Sequence, residues 1–198
     1  MALRLREIIA LSLLGVFLFV IAVPQNEFVI NEYTESRSVE RVEVLTPKVL
    51  ISAATLKITL SPDDDKLVYS DSYTPSLSVS QDITRISGIT NSVILGTKNI
   101  EHLQISTAVV SVLGVMNLKS LEISSATCEI NKIIIKNGCD ITISAAVLNG
   151  EIYVDKLQQY ENVSLEINST TADVTVYVKS GDEGKIKLNN PKVKIRNW

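Results

Sequence analysis

Few side chains in this sequence are of a kind that does chemistry, and their spacing limits what they can do. There is one histidine, His102, next to Glu101, and there are two cysteines, Cys128 and Cys139. A structural zinc site draws four Cys or His ligands from short pairs such as C-x-x-C. No such pair is present, so zinc is not expected. A lone histidine can act as a general base only beside a partner that the fold brings to it. His102 stands just before a strand-like run and reads as a surface residue. No G-x-S-x-G, H-E-x-x-H, P-loop or G-x-G-x-x-G signature occurs. Gly181-Asp182-Glu183-Gly184 reads as a turn. Asp63-Asp64-Asp65 follows Ser61-Pro62 and could hold Ca²⁺ with help from Asp71 or Asp82. Calcium loops space their acids at alternate positions, however, and a run of adjacent acids reads as a solvated turn. The chain is therefore read as no enzyme, with no cofactor and no metal. An enzyme of the polysaccharide-lyase kind on a repeat scaffold would need a groove lined by acids and bases, which nothing in the sequence supplies.

Two further sets of residues could be modified. A disulfide between Cys128 and Cys139 suits an oxidising compartment. It requires Cα atoms within about 7 Å. If both stand at one corner of neighbouring coils, a spacing of roughly 4.8 Å permits it. If Cys128 points into a core, it is a small hydrophobe. Both readings stay open. Asn162-Val-Ser164 and Asn168-Ser-Thr170 are N-glycosylation triplets.

The elements that must position these groups follow from composition. Apolar residues make up 45% of the 198, yet aromatic residues only 5%. An aliphatic, β-branched core favours strands. A net charge of −3 lacks the basic field that nucleic acid requires. Near the N-terminus, Arg4 and Arg6 precede the uncharged run Ile8–Val23. As a helix it reaches about 24 Å at 1.5 Å per residue. That is short of a hydrocarbon core of roughly 30 Å, but spannable with local thinning and Arg snorkelling. Pro24 ends it. The basic residues should stay cytoplasmic, which sends the rest of the chain outside. Residues 1–24 are thus expected to be a single-pass signal-anchor, with residues 8–23 in the membrane. A cleaved signal peptide and a pilin-type leader are alternatives, and all three export the remainder of the chain. Residues 25–48 are polar and charged and read as a stalk, with alternation at Val39, Val42 and Val44 where a strand can start. Residues 49–198 are the ectodomain.

That ectodomain repeats. Leu103-Gln-Ile-Ser-Thr-Ala108, Leu121-Glu-Ile-Ser-Ser-Ala126, Ile141-Thr-Ile-Ser-Ala-Ala146 and Leu165-Glu-Ile-Asn-Ser-Thr170 align. Leu56-Lys-Ile-Thr59 and Leu77-Ser-Val-Ser80 read as earlier, degenerate copies. A second feature keeps step: Ser111-Val112, Glu129-Ile130 and Asp173-Val174, with Glu151-Ile152 displaced by an insertion. Each unit reads as a strand, a small-residue corner and a second strand. One unit cannot bury its apolar face alone, whereas stacked units can. The expected fold is all-β, a short β-solenoid (β-helix). An antiparallel β-sandwich is the alternative, since meanders also alternate with period two. Asn137-Gly138 and Asn149-Gly150 are expected at outer turns with positive φ. Lysines in Lys185–Trp198, with Pro191, read as an edge guard.

The segment Leu121-Glu-Ile-Ser-Ser-Ala-Thr-Cys-Glu-Ile130 resembles the repeat Leu-x-Val-Ser-Ser-Ala-Ser-Gly-Asp-Val of the adhesin-type β-helix domains found in uncharacterised, membrane-tethered prokaryotic surface proteins. Leu165–Val174 and Leu103–Val112 match less closely, and the likeness covers roughly residues 77–188. The glycine before the acid is replaced by Cys128, Ala172 or Val110. The resemblance implies a surface domain and no catalytic residue. The function expected is a membrane-tethered, adhesin-like structural or interaction module, its partner an envelope protein or a glycan. A self-assembling envelope or filament subunit is the alternative.

Overall fold

Four long strands run side by side and parallel, and each begins with one copy of the repeat. They are seen in a computed structural model that describes residues 39–43, 46–70, 75–89, 92–190 and 192–198. In chain order the strands are β1 (Val39–Glu43), β2 (Lys48–Ser61), β3 (Lys66–Ser70), β4 (Ser76–Ser80), β5 (Ile83–Ile89), β6 (Ser92–Gly96), β7 (His102–Met116), β8 (Ser120–Ile135), β9 (Cys139–Val154), β10 (Val163–Val178), β11 (Ile186–Leu188) and β12 (Lys194–Asn197). Hydrogen bonds join them into a 12-stranded sheet. The pairs β2–β7, β7–β8, β8–β9 and β9–β10 are all parallel. Antiparallel pairing is confined among the described residues to β1–β3, β3–β6 and β4–β5. An antiparallel sandwich is therefore not the architecture. Alternation of period two is common to parallel and antiparallel sheets and could not separate them; hydrogen-bonding direction does.

The register explains the repeat. Leu103 pairs with Leu121, Leu121 with Ile141 and Ile141 with Leu165. Two residues further along, Ile51, Ile105, Ile123, Ile143 and Ile167 form a continuous row across five strands. Every one of them is buried. A second set of rows comes from the later part of each strand, among them Leu56, Val110, Cys128, Leu148 and the partly buried Ala172. Both sets belong to one core cluster. Between them the alternation breaks. Residues 106–109 of β7 and 124–127 of β8 place no buried side chain in the core, and residues 144–147 of β9 place only Ala145 there. Fully burying each Ile or Leu of the rows contributes about 1.5–3 kcal/mol, which makes these rows the main source of stability.

Several details differ from the sequence reading. The earlier copy of the repeat is Val49-Leu-Ile-Ser-Ala53, because Val49 pairs with Leu103, whereas Leu56 pairs with Val110. Leu77 lies in β4, antiparallel to β5 and out of series with the repeat. No insertion precedes Glu151. Asn149 pairs with Glu129 and Asp173, so Asn149-Gly150 occupies the second-feature position, and the irregularity belongs to β8 between Ile130 and Ile133. Gly150 has positive φ but sits inside β9 and at no turn, while Gly138 lies between β8 and β9 and is not among the positive-φ glycines. Within the stretch read as stalk, Val39–Glu43 is strand β1, paired to β3. The apolar run 8–23 lies outside the described residues. Among those described, no helix is long and apolar enough to cross a membrane.

Candidate functional site

Past the break in alternation, each long strand turns one set of side chains to the core and the other to solvent. The outward set is unusual. In register across the sheet stand Val115, Ile134, Tyr153, Tyr177 and Arg196. The first four are all half-buried, as is Leu113 in the next row; Thr59 separates Leu113 from Ile94 of β6, which is 43% exposed. A solvated sheet face would be expected to carry polar side chains at such positions.

The aromatic part of this face is tightly organised. Tyr153 and Tyr177 stack with ring centroids 4.5 Å apart and planes 13° off parallel. The spacing between neighbouring strands, roughly 4.8 Å, sets that distance. Trp198 meets Tyr153 edge-on at 5.2 Å and 85°, and its Nε1 donates to the Val154 carbonyl at 3.3 Å. Lys132 Nζ lies 4.8 Å from the Tyr153 ring centre and Lys179 Nζ 3.5 Å from that of Trp198. Glu151 receives both phenols, Tyr153 at 2.8 Å and Tyr177 at 3.4 Å. That bond to the carboxylate, with some desolvation, raises the Tyr153 pKa. Aromatic pairs of this kind contribute about 0.5–1.5 kcal/mol beyond burial. Trp198, just past β12, is thus tied to β9 across β10, and it stays 47% exposed.

Beside Trp198 opens a cleft of about 600 Å³ lined by Asp155, Lys156, Lys179, Ser180, Gly181 and Asp182. Asp182 is held by Lys185 Nζ at 2.8 Å and by the Leu157 amide at 3.0 Å. Those two bonds lower its pKa. The sequence reading misses this face, although it carries the signal. Tyr153 and Tyr177 are separated by the same interval as Ile141 and Leu165, which the repeat makes neighbours.

The residues that the sequence marks for chemistry fall elsewhere. His102 and Ser120 are brought together, Nδ1 to Oγ at 2.7 Å, because the repeat puts them in register. Glu101 Oε2 lies 3.9 Å from His102 Nε2 but only 2.8 Å from Lys119 Nζ. The first distance is too long for a hydrogen bond. The amides of Lys119 and Ser120 both donate to the Glu101 carbonyl, so neither is available to an oxyanion. The group is a polar clamp at the strand starts. Asp64 Oδ1 accepts from the amides of Asp65 and Lys66, which makes the acidic run a turn. Asn162 and Asn168 are both exposed, and Asn168 Nδ2 donates to Glu166 Oε1 at 3.1 Å.

Cys128 and Cys139 are free and buried. Cys128 pairs with Val110 and Leu148 in a core row, whereas Cys139 opens β9 opposite Val163. They do not share a register position. Desolvation pushes both thiols up to about 12, with smaller contributions from Glu129 and Asp140. The thiolate is the reactive form, so neither cysteine is expected to react with a thiol reagent at pH 8 in the folded protein. Both should react at once in denaturant. Rapid labelling of either under native conditions would contradict the burial described.

No protein-family model matches the chain, and no curated protein matches it. Among solved structures, 82% of the chain is similar to the whole (100%) of a Clostridium sporogenes protein described as a "putative cell adhesion protein", with 13% identity and a TM-score of 0.48. Likewise 83% of it is similar to 97% of a "putative adhesin" from Parabacteroides merdae, with 9% identity and a TM-score of 0.31.

Proposed function

We propose that this chain is a membrane-tethered, adhesin-like module of the cell surface that makes contacts and catalyses nothing, and that its body is a short β-solenoid. The observation that carries the contact function is the outward face of Leu113, Val115, Ile134, Tyr153 and Tyr177, with Trp198 at one limit. Contiguous apolar surface of this kind marks interaction sites in soluble domains. The export signal and tether rest on Arg4, Arg6 and the apolar run 8–23.

The solenoid is supported by chain length. A straight strand of 15 residues such as β7 would be about 50 Å long. The link from Met116 to Ser120, at the start of the parallel strand β8, can reach only about 14 Å. The chain can therefore re-enter beside its own start only if β7 doubles back, and the corner at Ser106–Val109, where the alternation breaks, is the place to do so. Both sets of rows then face one interior, in keeping with their single core cluster.

The filament reading is less well supported. On the side of β10 away from β9, between its pairings with β11 and β12, Asn189 Oδ1 accepts from the Ile167 amide at 2.8 Å, and Asn190 Nδ2 donates to the Ile167 carbonyl at 3.0 Å. Another copy stacking there would have to displace both, and would meet Lys187, Lys192, Lys194 and Arg196.

The full chain, carrying a C-terminal epitope and expressed in a bacterial host, tests the proposal. It should sediment with membranes, resist carbonate extraction and dissolve in detergent. Protease added to intact cells should remove the epitope. Recovery of the chain in the soluble cytoplasmic fraction, or an epitope that protease cannot reach, would overturn it.

A further inference from the structure

We propose that the cleft beside Trp198 is a binding site for a carboxylate-bearing sugar unit of a polysaccharide. The inference names a ligand class for the interaction face of the proposed surface module and takes from that reading only the setting in which such a polymer is met. A pyranose ring has an apolar C–H face and a rim of hydroxyls, and an exposed indole flanked by hydrogen-bonding groups complements both. Trp198 is 47% exposed. Its orientation is fixed by the Nε1 bond to Val154 and by the edge contact with Tyr153, so little ordering is left for a ligand to impose.

The remaining lining selects the charge. Lys179 Nζ stands over the indole, 3.5 Å from its centre, so it caps that face, and a bound carboxylate would have to draw the ammonium off the ring for a sugar to stack there. Lys156, exposed, is on the same wall. Of the two acids, Asp182 is spent on Lys185 and the Leu157 amide. Asp155 accepts from the Lys156 amide through one oxygen. Its carboxylate can also take a sugar hydroxyl. Two ammonium groups thus face one acid that is not tied to a lysine, and an anionic ring is favoured over a neutral one. Ser180 adds an exposed hydroxyl. Gly181, with positive φ, has no heavy atom within 4 Å of where a side chain would begin, so the floor is open. The cleft volume, about 600 Å³, falls in the range of roughly 300–1,000 Å³ usual for small-ligand sites.

Trp198 is the single tryptophan of the chain, so its fluorescence reports this site directly. The full chain in detergent micelles would be titrated with a galacturonic acid oligomer, and with a cello-oligosaccharide as the neutral probe. A saturable change with the acidic oligomer alone is expected. Raising salt from about 50 mM to about 500 mM should weaken it through screening. Lys179→Gln should lower affinity at least about tenfold, a loss of about 1.4 kcal/mol. Trp198→Phe, which preserves an aromatic ring against Tyr153, should lower it severalfold by calorimetry. Ser124→Ala, remote from the cleft, should leave it unchanged. Equal responses to both oligomers, no saturable response to either, or full affinity in Lys179→Gln would each overturn the site. A chain exposed on the cell surface without saccharide binding would sink this inference and leave the module reading intact. Saccharide binding by a chain that never reaches the surface would do the reverse.

Discussion

Gly150→Ala is expected to destabilise the domain by about 3–5 kcal/mol, combining backbone strain with overpacking between strands. Gly150 lies within β9 at φ +144, and a Cβ built there would stand 2.1 Å from the Ile130 carbonyl oxygen and 2.7 Å from the Ile130 Cβ. The closest contact is backbone, which no rotamer change relieves. β8 and β9 would have to part where β8 is already irregular between Ile130 and Ile133. Domains of this size are stable by about 5–15 kcal/mol, so the variant should sit close to its unfolding limit at room temperature. Urea unfolding measures this as a lowered midpoint with an unchanged slope. Gly184→Ala is the control: nothing lies within 4 Å of its would-be Cβ, and its stability should change by less than about 0.5 kcal/mol. A Gly150→Ala loss below about 1 kcal/mol would show that the strands yield there.

The second large effect is in the isoleucine row. Ile143 is fully buried, with Ile123 on one side and Ile167 on the other. Removing its side chain beyond Cβ should cost about 3–4 kcal/mol, within the usual range for Ile→Ala in a core. Ile167→Ala should cost less, because β11 covers β10 only at Val163–Leu165 and the Asn189 and Asn190 side chains take over at Ile167. Ile123→Ala combined with Ile143→Ala should depart from additivity by at least about 0.5 kcal/mol, since the two would share one cavity. Equal costs for Ile143→Ala and Ile167→Ala would mean that the row is not closed at its last rung in the way described.

Much of the architecture is legible in the residues. The Leu-x-Ile-Ser pattern starting at 103, 121, 141 and 165 marks strands that must pair with one another, because one such strand buries too little to hold itself. The pairing found in the structure follows that alignment residue for residue through Ile105, Ile123, Ile143 and Ile167. The all-β character comes from the same aliphatic alternation. The end of the array, with its lysines, is equally visible.

Other features depend on the third dimension. Leu56 fits the first part of the repeat by residue type, yet it pairs with Val110 in the second, because the same aliphatic alternation fills both parts and only hydrogen-bond register distinguishes them. Asn149-Gly150 has the composition of a turn, yet it pairs within the sheet between β8 and β10, where the glycine is needed because the approach of Ile130 leaves no space for a Cβ. His102 is solitary in the sequence, and the register sets Ser120 beside it. Tyr153 and Tyr177 share the repeat interval of Ile141 and Leu165, but only the fold brings Trp198 to them. Composition and period set which residues face inward. Which outward residues meet one another is decided only when the strands come into register, since contacts across strands join residues far apart in the chain.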